Sequence, residues 1–89
     1  MKAYSIYDSK AEAFNQPFFA EKDGLAIRIF TDHVNNPESI WGKYPHDFTL
    51  FHVGHFDSES GSLEPEKTPR NLGMAIEFTN EKQLMLKEV

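Results

Sequence analysis

The chain of 89 residues contains no cysteine. This absence excludes disulfide bonds, cysteine-containing zinc sites and thiol catalysis, and it fits a reducing cytoplasm. No apolar run approaches the roughly 20 residues that a membrane-spanning helix needs, and residues 1–7 lack the apolar core and cleavage site of a signal peptide. We therefore expect a soluble protein that does not associate with membranes and is not exported by the usual route.

Basic residues are also few. Fourteen acidic residues stand against nine basic ones, which gives a net charge of −5, and no two basic residues are adjacent. This pattern counts against the strong positive surface that nucleic-acid-binding domains often carry. A local basic patch can still form on a folded or oligomeric surface.

The sequence motifs of common catalytic sites are missing. There is no Gly-x-Ser-x-Gly elbow, no Walker phosphate loop and no Gly-x-Gly-x-x-Gly, and the carboxylates are dispersed along the chain. We predict no catalytic residues, no enzymatic activity and no cofactor.

The only metal-like spacing is that of His52 and His55, with His46 before them and Asp57 after them. Residues three apart on a strand point to opposite faces, so the first two cannot bind one ion together unless Gly54 introduces a bulge. His55 and Asp57 share a face but would need further ligands from elsewhere. We assign no metal site and interpret these histidines as surface or interfacial residues.

Aromatic residues are abundant, with eight phenylalanines, three tyrosines and one tryptophan. Several lie in residues 47–63, where an aromatic and β-branched run, a polar turn and a return predict a β-hairpin. Phe48 and Leu50 alternate with Phe51 and Val53, which predicts a central strand covered on both faces. In the turn that follows, the side chains of Asp57 and Ser58 can bond the backbone two residues on, and Gly61 can take the left-handed conformation.

We predict an α+β fold with short helical turns. A small antiparallel sheet of about three strands, residues 2–8, 47–56 and 61–64, packs against one main helix, residues 23–36. Asp23 is the expected N-cap of that helix. Its expected buried stripe has helical spacing and consists of Ala26, Ile29, Phe30, His33 and Val34.

Four other segments have weaker patterns. Ser9 can cap a helical turn over residues 10–14, and residues 38–44 can form another turn. Residues 64–69, with two prolines, indicate an exposed connector, and residues 72–78 fit either a short helix, which we favour, or a strand.

We assign residues 1–79 to a single domain. Residues 80–89 form a charged tail that is either a docked helix or frayed. Phe18 and Phe19 are interpreted as core anchors, with an exposed aromatic surface for a partner as the alternative.

Binding of single-stranded DNA requires bases stacked on exposed aromatic rings beside cations. The candidate rings are Tyr4, Tyr7, Phe51 and Phe56. The candidate phosphate contacts are Lys2, Lys10, Arg28, Lys43 and Arg70. The residues alone favour the alternative that these rings belong to the core or to an interface and that the cations only solvate the surface.

Three stretches of the sequence carry a resemblance to a known family. They are Asp8-Ser-Lys-Ala-Glu-Ala-Phe-Asn-Gln-Pro-Phe-Phe19 with Gly24-Leu-Ala-Ile-Arg28, then Pro45-His-Asp-Phe-Thr-Leu-Phe51 with the hairpin Gly54–Gly61, and Pro69-Arg-Asn-Leu-Gly73 with Glu77-Phe78. Together they span about residues 2–78. In this combination the chain resembles the small nonstructural protein of gokushoviruses, single-stranded DNA phages of the Microviridae.

The resemblance implies an accessory factor of phage genome replication. Such proteins are thought to act in the switch from double-stranded replicative DNA to the synthesis and packaging of single-stranded progeny DNA, and they are often labelled DNA-binding. The expected partners are single-stranded DNA and phage or host replication proteins, in the host cell cytoplasm. The acidic balance favours the alternative of a protein-interaction module that does not contact DNA. The resemblance supplies no catalytic residues and no metal ligands.

Self-association is a further expectation. A chain this short buries only about 60–65% of its unfolded surface. Exposed strand edges also invite pairing between copies. We therefore expect a homo-oligomer.

Overall fold

The computed structural model describes residues 1–80, and it confirms the predicted α+β class. Five strands, two α-helices and one 3₁₀ helix make up this part of the chain. The strands are β1 (Lys2–Asp8), β2 (Ala13–Phe14), β3 (Phe18–Ala20), β4 (Phe48–Phe56) and β5 (Leu63–Met74); the helices are α1 (Asp23–Val34), α2 (Ile40–Lys43) and the 3₁₀ helix (Ala75–Phe78). All but Asn80 of the predicted tail lies outside the described residues.

The strands form one antiparallel sheet in the order β2-β1-β4-β5, and β3 pairs with the other end of the β1 edge. The prediction that β4 is central is confirmed, whereas β2 and β3 were not predicted. They arise because the segment after β1 turns back on it: the Asp8 carboxylate accepts hydrogen bonds from the N–H groups of Lys10 and Ala11. This side-chain turn replaces the helical turn that we expected Ser9 to cap.

The core lies between one face of the sheet and α1. Tyr4, Leu50 and Phe30 are completely buried, and they mark the contributions of β1, β4 and α1. The expectation that β4 is covered on both faces is wrong, because Phe51 and Val53 on its other face are only half-buried. We call that side, which points away from α1, the outer face of the sheet.

Helix α1 is shorter than predicted and begins differently. It ends at Val34, with Asn35 as its C-cap, and Lys22 rather than Asp23 occupies the N-cap position. Ile29 and His33 from the expected buried stripe are exposed, and Ile27 packs against the core instead. The polar side chain of Asp23 is therefore available for contacts outside the helix.

The return of the hairpin is longer than the predicted strand 61–64. Gly61 adopts the expected left-handed conformation, with φ of 76°, and the Asp57 carboxylate accepts from the N–H of Glu59. The predicted connector 64–69 lies within β5, and residues 72–78 divide between the end of β5 and the 3₁₀ helix. Among residues 1–80 no helix is long and apolar enough to cross a bilayer.

Candidate functional site

The middle of β4 is interrupted by a bulge. Opposite β1, Ala3 pairs with Gly54 and Tyr4 pairs with His52, so Val53 is an extra residue. Opposite β5, Gly54 pairs with Pro65 and His52 pairs with Arg70, so residues 66–69 all stand against Val53 alone and form a second, larger bulge in β5. A side chain at Gly54 would place its Cβ 2.6 Å from the carbonyl oxygen of Glu64. Glycine is therefore needed for the close approach of the two strands next to the bulge.

The bulge brings His52, His55 and Glu66 together. The rings of the two histidines lie 4.9 Å apart, and Glu66 Oε1 lies 2.8 Å from His55 Nε2 and 3.5 Å from His52 Nδ1. His55 is exposed, but the side chain of His52 is only 3% exposed. The interpretation of His52 as a surface residue is therefore wrong, because it faces the core beside the ring of Tyr4, 5.3 Å away.

Asp23, at the start of α1, is the centre of a second polar cluster. Its carboxylate accepts hydrogen bonds from the Tyr4 hydroxyl at 2.7 Å, from Arg70 Nη2 at 2.9 Å and from Lys2 Nζ at 3.4 Å. Arg70 Nη2 also lies 3.2 Å from His52 Nδ1, which joins the two clusters. The structure thus brings together three of the six predicted DNA-binding residues.

These contacts change the predicted roles of the three residues. Tyr4 has no exposed surface, so its ring cannot stack on a base, and we correct that assignment. Burial, together with the hydrogen bond to Asp23, raises the pKa of the Tyr4 hydroxyl, so it remains a donor. Lys2 and Arg70 are partly exposed, but the carboxylate of Asp23 offsets their charge.

The charge of Asp23 should stabilise the fold in a pH-dependent way. The hydrogen bond from Tyr4 lowers the pKa of Asp23 to about 2, with help from Arg70 and Lys2 and against the effect of burial. A pKa below the usual value means that the stabilisation is complete above about pH 5 and is lost as the pH falls towards 2. Because the side chain is 30% exposed, we expect about 1–2 kcal/mol.

We predict that Asp23→Asn lowers the free energy of unfolding by about 1–2 kcal/mol at pH 7, and that the difference from the unmodified protein shrinks as the pH approaches 2. Urea unfolding at several pH values measures both effects. Asp32→Asn is the matched control, since it removes the same charge from an exposed position of α1. An Asp23→Asn deficit of equal size at pH 7 and pH 2 would contradict the assigned role of the charge.

The other three predicted residues do not belong to this cluster. Lys10 lies in the turn between β1 and β2, Arg28 is on the exposed side of α1, and Lys43 is exposed at the end of α2. They therefore lie on separate elements and do not form a single basic patch with Lys2 and Arg70.

The outer face of the sheet carries a group of aromatic rings. Phe14 of β2 stands between Tyr7 and Phe51, with ring centroids 4.9 Å and 5.7 Å away, and it is 47% exposed. We call these three residues the aromatic triplet. Further along the sheet, Phe19 contacts the ring of Phe56 at 5.5 Å and is 40% exposed.

Tyr7, Phe51 and Phe56 were predicted as candidate rings, but Phe14 was not, because the two paired residues of β2 are too few to show an alternating pattern. Glu66 was not predicted either, because its approach to His55 depends on the bulge in β5. Phe18 packs against the core, as expected of an anchor, whereas Phe19 is exposed and is not a core anchor.

The chain matches a known protein family. Residues 1–78 match the family described as Phage ORF5 protein. No curated protein and no solved structure shows significant similarity to the chain. The family match covers all the strands and helices named above, including both polar clusters and the aromatic triplet, and the chain therefore belongs to the phage ORF5 protein family.

Proposed function

We propose that this phage protein is a non-catalytic factor of genome replication that binds single-stranded DNA through the aromatic triplet. In this proposal it acts in the host cell cytoplasm, in the switch from double-stranded replicative DNA to single-stranded progeny DNA. Membership of a phage protein family and the resemblance to gokushovirus nonstructural proteins support the biological setting. The observation that carries the DNA contact is the aromatic triplet, in which Phe14 is 47% exposed and Tyr7 and Phe51 are half-buried.

The aromatic triplet is better suited to binding unpaired bases than to binding double-stranded DNA. Stacking on aromatic rings requires unpaired bases, and it tolerates any sequence because every base has a flat face. Tyr7, Phe14 and Phe51 are held by two pairs of neighbouring strands, so the rings are positioned before a ligand arrives. A preordered surface loses little conformational entropy on binding.

Phosphate contacts have to come from a small number of cations. Lys10 lies in the turn that connects Tyr7 of β1 to Phe14 of β2, and its side chain lines a groove with Tyr44 and Phe48. Arg28 lies on α1, which packs against the opposite face of the sheet. The geometry therefore favours Lys10 over Arg28 as the cation that accompanies stacked bases.

Fluorescence anisotropy with a labelled oligothymidine across a salt series tests the proposal. We expect binding that weakens linearly with the logarithm of salt concentration, with a slope reduced by about 0.7 in Lys10→Gln if one phosphate contact is lost. Arg28→Gln is the matched control and should leave the slope unchanged. Absence of binding at low salt, where phosphate contacts are strongest, would rule out direct DNA contact.

The same samples should be examined by light scattering, because we also propose that the protein is a homo-oligomer. The edges of β2 and β5, and the end of the outer face around Phe19, Val53 and Phe56, which lies away from the triplet, are surfaces that a second copy can cover. A mass of one chain at micromolar concentration would contradict self-association without affecting the DNA measurement.

A protein-interaction module is the second candidate function. The observation in its favour is that Asp23 offsets the charges of Lys2 and Arg70, which leaves an acidic protein with a largely apolar outer face. In this case the partner is a phage or host replication protein. Affinity capture from infected cells should then recover a replication protein, and Phe14→Ala should abolish the recovery; capture of no replication protein would reject this candidate.

A further inference from the structure

We propose that His52, His55 and Glu66 form a zinc-binding site that fastens the bulge of β5 to β4. Their three ligand atoms all lie within 4.8 Å of one another. Two imidazole nitrogens and one carboxylate oxygen are a donor set that zinc accepts, and they leave a fourth position for water. This inference is independent of DNA binding, and it departs from the sequence-based expectation that the chain has no metal site.

The distances require only small side-chain adjustments. A tetrahedral ion with bonds of about 2.0–2.2 Å separates its ligands by about 3.4 Å. His52 Nδ1 and Glu66 Oε1 are already 3.5 Å apart. His55 Nε2 and Glu66 Oε1 are in hydrogen-bond contact at 2.8 Å and would have to separate. Both of these side chains are partly or largely exposed, so they can move without disturbing the core.

The backbone around the site is specific. An uninterrupted strand would direct His52 and His55 to opposite faces, and the extra residue Val53 brings their rings into contact. On the neighbouring strand, residues 66–69 leave the ladder and present Glu66 to both rings. Two coincident irregularities in adjacent strands therefore create one cluster of three ligands.

His52 is an unusual residue to find in a small core. Its Nδ1 atom faces the cluster, 3.2 Å from Arg70 Nη2 and 3.5 Å from Glu66 Oε1. Because a guanidinium can only donate hydrogen bonds, Nδ1 accepts with its lone pair. A metal ion requires that same lone pair, so the nitrogen directed at the cluster is one that can act as a ligand.

Arg70 approaches the ligand atoms of the cluster. Its Nη2 lies 3.2 Å from His52 Nδ1, where a metal ion would have to bind. The same guanidinium is also held by Asp23 at 2.9 Å. When a metal ion replaces Arg70 at His52 Nδ1, Arg70 still has the carboxylate of Asp23 as its partner. The carboxylates of Glu66 and Asp23 then offset the positive charge of the bound ion.

Isothermal titration with Zn²⁺, on full-length protein prepared without a histidine tag, tests the site. We expect one ion per chain and a rise in the thermal unfolding temperature on adding Zn²⁺, because an ion that binds only the folded state stabilises it. Substituting a residue that only hydrogen-bonds to a metal ligand typically weakens metal affinity by about 10- to 100-fold. Because His55 and Glu66 are proposed as ligands themselves, His55→Ala and Glu66→Gln should each weaken Zn²⁺ binding at least about tenfold. Both residues lie outside the core, so the variants should fold.

His46→Ala is the matched control, since it removes an exposed histidine outside the cluster. It should bind Zn²⁺ as the unmodified protein does. No binding by folded protein, or binding that His55→Ala and Glu66→Gln leave intact, would overturn the proposal. A loss of equal size in His46→Ala would also overturn it, because it would indicate binding to surface histidines in general.

Discussion

Replacing Phe14 and Phe51 together with alanine is expected to lower the affinity for single-stranded DNA at least about tenfold. Loss of one base–aromatic contact costs about 1–3 kcal/mol, and each 1.4 kcal/mol corresponds to a tenfold change. The double variant removes the middle ring of the triplet and the ring beside it on β4. Anisotropy at a fixed low salt concentration measures the loss.

Leu25→Ala is the matched control for this variant. Leu25 is an apolar residue with 42% exposure on α1, which packs against the opposite face of the sheet from the triplet. It should leave the affinity unchanged. Phe14 is 47% exposed and Phe51 is half-buried on the outer face, outside the core, so circular dichroism should show that the double variant keeps the fold. An affinity unchanged by the double substitution would show that any DNA binding uses another surface.

The response to salt separates stacking from phosphate contact. Removal of rings should lower the affinity at every salt concentration and leave the salt slope as it was, whereas Lys10→Gln should change the slope. If Phe14→Ala instead disrupts recovery of a protein partner and DNA does not bind, the outer face serves protein recognition. The same residues thus distinguish the two candidate functions.

The strands and helices with strong periodic patterns could be predicted from the sequence. Apolar residues alternate in residues 2–8 and 48–56, and they recur with helical spacing around Ala26 and Phe30. Each of these elements is buried on one side, and one-sided burial produces a regular spacing of apolar residues in the sequence. The turn at Gly61 was also predictable, because few residues adopt a positive φ. Strands β2 and β3 show no such periodic pattern, because they are only two and three residues long and are held by pairing with β1.

The candidate sites were less predictable for a related reason. Asp23 looks like a helix cap in the sequence, but its contacts with Tyr4 and Arg70 join residues 19 and 47 positions apart. The cluster of His52, His55 and Glu66 depends on a bulge that changes which face each side chain occupies. A bulge at Gly54 is the condition for the two histidines to meet, but no residue pattern shows whether a strand contains one.

The second large effect is expected from the core of the sheet. Leu50→Ala should lower the free energy of unfolding by about 2–5 kcal/mol, because it removes buried methyl groups and leaves a cavity. Leu50 is completely buried on β4, beside Ile6 of β1. For a domain of this size each kcal/mol lowers the unfolding temperature by about 4–8 °C. Calorimetry or urea unfolding measures the loss.

Val53→Ala on the outer face of the same strand is the informative comparison. Val53 is only half-buried in the single chain, so its truncation should cost about 1 kcal/mol or less. If a second copy covers the outer face, Val53→Ala should also weaken self-association, and the stability of the oligomer should then depend on protein concentration. Equal losses for Leu50→Ala and Val53→Ala at a concentration where the protein is monomeric would contradict the one-sided core. They would mean that β4 is buried on both faces, as its alternating apolar residues first indicated.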